Sequence, residues 1–300
     1  MNDVRVALCL YGTMRGPNNC LPTVYENIIK VWNTDVIVCI NKCYEDDFER
    51  VDILRKLGAK IVIEDIQTQP DVYEVFPHSF YNKFLPAARE FASGKNASII
   101  NFLAPIIGTH SSLHTRLNWY KLSNLLESQL DNYDYFILTR PDHFYMFPMF
   151  DKSFLNKNQI INYSEHSFTV SNLGGVNADF IVISSQFVLQ WLRSSIEYLI
   201  NEPLQDILLE ELSKADSCNS EAYTALIVKL CNFELKPMSI NSFISGDSEN
   251  ELTSMIPVKY DGEYYYKYET NYLPCKENYN LWQNGYRWKN SADKIYLTLD

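Results

Sequence analysis

Apolar positions near the start of the chain come in short, nearly unbroken runs separated by stretches with helical spacing. Val4 to Tyr11 (VRVALCLY) is β-rich and closed by Gly12, which suits a strand buried on both faces of a parallel sheet. Leu21, Val24, Tyr25, Ile28, Ile29 and Trp32 then fall at steps of three and four, one apolar stripe on a helix. Asp35 to Ile40 predicts a second strand, Asp46 to Leu57 a polar-faced helix stopped by Gly58, and Ala59 to Glu64 a third strand. Strand, helix, strand, helix, strand in this order predicts right-handed parallel α/β units.

The periodicity fails from Asp65 to about Ser98, where Pro70, Pro77, Pro86 and Gly94 interrupt any helix, so an irregular insertion is expected. Leu113, Leu117, Tyr120, Leu125, Leu126 and Leu130 predict a long helix ending near Asp131 and Asn132. It leads into a fourth strand, Tyr133 to Thr139, which must stop at Pro141 because proline has no amide hydrogen for the ladder. Short strands (Ile160 to Tyr163, Ser167 to Val170, Ala178 to Ser184) and helices (Gln186 to Ile200, Leu204 to Leu212, Ser220 to Leu230) follow. From Tyr260 to Tyr286 the chain is tyrosine-rich and poor in aliphatics, which predicts an irregular arm wrapping the rest; its rings also suit sugar stacking or a protein interface. Nothing along the chain reads as a repeat or linker, so one mixed α/β domain over 1–300 is expected, its mainly parallel sheet flanked by helices.

Composition narrows the partners. With 46% hydrophobic residues in 300, the chain can bury a core without disulfides or a structural metal. Twenty-six Lys and Arg against 37 Asp and Glu give a net charge of -11, which argues against nucleic acid and requires any compact anion to meet a local cationic site. Seven dispersed cysteines with no CxxC pair read as reduced thiols, hence a cytoplasmic location. Val6 to Tyr11 is too short and strand-like for a signal peptide, and no 18 apolar residues run together, so no transmembrane helix is expected. Peripheral membrane contact stays open.

In open parallel sheets, ligands bind beyond the carboxyl ends of the strands. Two polar clusters fall there, Gly12-Thr13-Met14-Arg15-Gly16 and Thr139-Arg140-Pro141-Asp142-His143. Each carries an arginine, whose planar fork matches phosphate oxygens, although Arg15 also reads as a solvated turn residue and Asp142 as an ion-pair partner of Arg140. His110 and His114 are four apart but lack the glutamate of H-E-x-x-H, and read as polar helix positions. Dinucleotide, P-loop, kinase and Ser-His-Asp signatures are absent.

The segments VALCLYGTMRG, TDVIVCI and NWYKLSNLLESQLDNYDYFILTRPDH, in that order, resemble a group of bacterial and viral sugar transferases of the GT-A class, over about residues 4 to 64 and 110 to 231. This resemblance implies a Rossmann-like GT-A fold, with a nucleotide-sugar-binding half over 1–150, an acceptor half over 151–240 and a C-terminal arm over 241–300. It implies a nucleoside diphosphate sugar as donor and a glycan, glycolipid or protein as acceptor. Gly12, Arg15, Lys121, Arg140 and Asp142 are the implied donor-side residues. Such enzymes hold Mn²⁺ or Mg²⁺ on a D-x-D pair; here Arg140-Pro141-Asp142 keeps one carboxylate. Either Asp142 alone, with water and the diphosphate, ligates the metal, or Arg140 and Arg15 neutralise the diphosphate without one; His143 could assist as a ligand, but a lone histidine reads more readily as structural. Gly174-Gly175-Val176-Asn177-Ala178-Asp179 and Asn219-Ser220-Glu221 resemble the acceptor-side segments, and make Asp179 or Glu221 the general base. Helix capping by Ser220 and Glu221 is the plain alternative. As functions, a non-catalytic carbohydrate- or protein-binding module and, more weakly, a sugar nucleotidyltransferase compete with the transferase.

Overall fold

The computed structural model describes residues 4–13, 19–42, 47–68, 76, 79–80, 82–84, 112–163, 174–177, 179–215, 218, 220–245 and 258–299. Three strands open the chain: β1 (Val6–Thr13), β2 (Asp35–Lys42) and β3 (Ile61–Thr68), paired in parallel. Between β1 and β2 run α1 (Cys20–Val24), a π-helical stretch Tyr25–Ile29 and α2 (Lys30–Trp32), whose buried residues include the expected Leu21, Val24, Ile28 and Trp32. Between β2 and β3 lies α3 (Asp47–Lys56), followed by Gly58 at φ +98°, a conformation that glycine reaches without strain.

The expected long helix is α4 (Ser112–Leu126), continued by a 3-10 turn at Glu127–Asn132. Its inner face is not quite the expected one, because Tyr120 points outward and Trp119, Leu122 and Arg116 are buried instead. Strand β4 (Tyr135–Thr139) pairs in parallel with β1 and ends immediately before the Arg140-Pro141 pair, as the missing proline amide dictates. Then come β5 (His143–Tyr145), β6 (Ile160–Tyr163) and β7 (Phe180–Ser184). Helices α5 (Ser185–Ile200), α6 (Glu202–Ser213) and α7 (Ser220–Leu230) match the three expected spans within a few residues. The expected strand Ser167 to Val170 and most of the expected insertion lie outside the described residues. Phe76, Phe80 and Phe84, from within that insertion, are buried with Leu113, Leu117 and residues of α5 to α7.

The tail departs from expectation. After β8 (Leu235–Met238), the span of the expected irregular arm forms β9 (Ser242–Ile244), β10 (Lys259–Tyr260), β11 (Tyr265–Tyr266), a 15-residue helix α8 (Glu269–Gln283) and a hairpin of β12 (Arg287–Asn290) and β13 (Ile295–Thr298). Pro274 sits inside α8, which hid the helix from the sequence pattern. The hairpin joins the main sheet through β8, so the order is β12-β13-β8-β6-β7-β4-β1-β2-β3. Seven of these nine strands run the same way; β7 and β12 oppose them. The result is a mixed α/β fold whose large, mainly parallel sheet is flanked by helices, compatible with a Rossmann-like arrangement. Two apolar layers cover the sheet, one with Trp32, Phe150 and Tyr272, the other with Trp119, Trp191 and Leu192.

Candidate functional site

The chain leaves β1 for the helix beside β2 but reaches β4 on the other side of β1, so the connections diverge at the carboxyl ends of β1 and β4. A crevice at such a divergence is where ligands bind in open α/β sheets. Gly12, at φ +96°, sits at the end of β1 opposite Ile40 of β2. Thr13 pairs with Asn41, whose Nδ2 donates to Asn118 Oδ1 (2.7 Å), while Lys121 Nζ donates to Asn41 Oδ1 at 3.4 Å. The inner face of α4 thus brings Lys121 to the ends of β1 and β2. Arg15 lies outside the described residues.

At the end of β4, Arg140 and Asp142 form a two-pronged ion pair: Nε donates to Oδ1 (2.9 Å) and Nη2 to Oδ2 (2.6 Å). The antiparallel β7 begins here, since Thr139 pairs with Phe180, and this puts Asp179 within 3.3 Å of Arg140 Nη1. Three of the five guanidinium N–H groups are therefore used, and Arg140 is 31% exposed, leaving two for a ligand. Asp142 has no exposed side-chain surface. Burial alone would raise its pKa, but the Arg140 charge and hydrogen bonds, helped by His143 and Lys267, hold it below the ordinary carboxylate range. Next to it, burial pushes the His143 imidazole down; its Nδ1 shares a hydrogen bond with Ser242 Oγ (2.8 Å), and its Nε2 is buried without one.

The fit to a divalent cation is poor. Both Asp142 oxygens are held by Arg140 away from solvent, and among the described residues no three His, Cys, Asp or Glu side chains are arranged to hold a metal.

The segments around Asp179 and Glu221 converge on the same place. Gly174 adopts φ +73°, the Val176 amide donates to the Glu221 carbonyl (3.1 Å), and the Asp179 amide donates to Asn177 Oδ1 (2.9 Å). These bonds tie the start of β7 to the first turn of α7. The half-buried Glu221 carboxyl is pushed up, first by burial and then by the Asp179 charge, against its own backbone amide and Arg116, which pull it down.

No protein-family model matches the chain, and no curated protein is significantly similar to it. The site therefore stands on its geometry.

That geometry includes residues the sequence pattern concealed. Arg116 is fully buried in the apolar stripe of α4; its Nη2 donates to Ser220 O (3.0 Å), Ser220 Oγ (3.2 Å) and Thr224 Oγ1 (2.9 Å). Its guanidinium also lies over Trp119 (4.6 Å) and Tyr223 (5.2 Å), while Nε and Nη1 have no hydrogen-bond partner. Arg116 thus fixes the helix end that carries Glu221. From the tail come Lys267, buried and close enough to Asp142 to lower its pKa, and Tyr268. Burial pushes the Tyr268 phenol up, Arg140 opposes this, and Asp179, Asp142 and Glu221 reinforce it, so the ring stands among all four charges. Arg116, Arg140 and Lys267 lie among Asp142, Asp179 and Glu221, and Lys121 stands beside Asn41 at the end of β2: positive charge gathered along one edge of the sheet in an acidic chain. The only sequence signals for the missed residues were Asn41 at a strand end and the polar Arg116 within an apolar stripe. His114 lies on α4, and His110 falls outside the described residues.

Proposed function

We propose that the protein is a glycosyltransferase that moves a sugar from a nucleoside diphosphate donor onto a hydroxyl of a glycan, glycolipid or protein acceptor. The observation that carries this reading is the meeting, at the divergence of β1 and β4, of a cationic group with a carboxyl raised toward neutral pH. A GT-A-like architecture, suggested by the ordered sequence segments, is consistent with the strand order β4-β1-β2-β3.

In this reading Glu221 is the general base. Its raised pKa makes it a stronger base than an exposed carboxylate, whereas Asp179 is engaged by Arg140 and orients the acceptor. The acceptor hydroxyl loses its proton to Glu221 while its oxygen attacks the anomeric carbon. The bond from that carbon to the phosphate oxygen breaks, and its electron pair leaves with the diphosphate. Lys121, Lys267 and the two remaining N–H groups of Arg140 stabilise the departing charge. Gly12 lets the donor approach the backbone at the end of β1. Such a reaction fits the interior of a cell, where nucleotide sugars are made.

The engagement of Arg140 by two carboxylates supports a second reading, a non-catalytic glycan-binding module on the same fold. Release of nucleoside diphosphate from a panel of nucleotide sugars separates the two: the transferase releases it slowly without acceptor and faster with one, and the module releases none.

A further inference from the structure

At the other end of the sheet, the amino ends of the first three strands frame a cleft of about 510 Å³. Val6 opens β1, Asp35 opens β2, Lys60 immediately precedes β3, and Tyr133 leads into β4. The volume falls within the roughly 300–1,000 Å³ of small-molecule sites. The cleft lies away from the carboxyl ends that carry Gly12, Arg140 and Glu221, so it belongs to a separate site.

Its lining combines two kinds of polar group. Arg5, Lys60 and Lys152 line the cleft with the Asp35 carboxylate; at its rim Arg5 also pairs with Asp134 (3.7 Å) and donates to the Asp131 carbonyl (3.1 Å), and Lys152 donates to the Val4 carbonyl (3.0 Å). Asp35 Oδ2 already accepts from Lys60 Nζ and from the Tyr133 hydroxyl, each at 2.8 Å. Lys60 (72% exposed) and Arg5 (57% exposed) are long, solvated side chains that can turn onto an anion in the cleft. The second kind is neutral. The carboxamides of Asn33, Gln129 and Asn132 line the same space, where α2 and the 3-10 turn end. Asn132 Nδ2 donates to Gln129 Oε1 (3.0 Å), and a carboxamide can both donate to and accept from a hydroxyl. Cations and carboxamides lining one cleft match a ligand with one anionic group and several hydroxyls.

We propose that this cleft is a second ligand site, for a sugar monophosphate. Its phosphate lies against Arg5 and Lys60, and its hydroxyls against the carboxamides. The site is independent of the transferase reading and stands or falls by itself.

Calorimetric titration with a hexose 6-phosphate tests it, with inorganic phosphate and the neutral hexose as separate arms. Saturable binding of the hexose phosphate is expected, weakened about tenfold or more in the Arg5→Gln/Lys60→Gln double variant and unchanged in Lys121→Gln, which alters the other end of the sheet. Arg5 and Lys60 are both exposed, so the double variant keeps the fold. Absence of saturable binding up to about 10 mM overturns the proposal. So does an affinity that the double variant leaves unchanged, or one that Lys121→Gln abolishes. Inorganic phosphate binding as tightly as the hexose phosphate overturns the assignment to a sugar.

Discussion

Glu221 is expected to trade stability for reactivity. Its pKa is raised in the folded protein, so the native state favours the protonated form, and the stability this contributes is lost as pH rises through the raised pKa. Glu221→Gln removes that loss: the variant is expected to unfold at a higher denaturant concentration than the wild type at pH 8, with the gap closing below pH 4. Turnover, if Glu221 is the base, falls by about 10²- to 10⁴-fold, and the acidic limb of the kcat/KM profile disappears. A variant that keeps full turnover with its acidic limb would move the role to Asp179. Asp142 behaves in the opposite sense. Arg140 holds its pKa below the unfolded value, so its contribution is present at neutral pH and is lost as pH falls through the folded pKa. Asp142→Asn leaves a guanidinium short of a partner and should cost about 1–3 kcal/mol at pH 7 by denaturant titration, with less difference near pH 3.

Among the elements, the C-terminal hairpin is the most informative. Ile295 of β13 has no exposed surface and packs with Met238 and Tyr272, and its carbonyl accepts from the Ser239 amide (2.9 Å). Ile295→Ala should therefore cost about 2–5 kcal/mol in equilibrium unfolding, whereas a peripheral arm would change by no more than about 0.5 kcal/mol. The sequence did not disclose this element for physical reasons. β1, β2 and β4 are buried on both faces and read as unbroken apolar runs. β12 (RWKN) is an edge strand with one face in solvent, β8 (LKPM) is interrupted by proline, and α8 contains Pro274. Their patterns carry little hydrophobic period to read. The site divides the same way. Arg140, Asp142, Asp179 and Glu221 were legible because strand ends and helix starts mark them, while Lys267 and Tyr268 reach it only through tertiary folding of the tail.

At the scale of the whole molecule, charge and topology have to be weighed together. A net charge of -11 disfavours extended polyanions, yet the carboxyl ends of β1, β2 and β4 gather Lys121, Arg140, Arg116 and Lys267 into one region. No helix among the described residues is long and apolar enough to cross a membrane. The central claim is that these side chains, rather than a metal on Asp142, neutralise a nucleoside diphosphate as it leaves its sugar. The most direct measurement is the release of nucleoside diphosphate from a panel of nucleotide sugars in the presence of a strong chelator, with the wild type beside Lys121→Gln. The account predicts release from at least one donor, undiminished by the chelator and reduced by about tenfold or more in the variant. Release from none of them, or release abolished by the chelator, would contradict it.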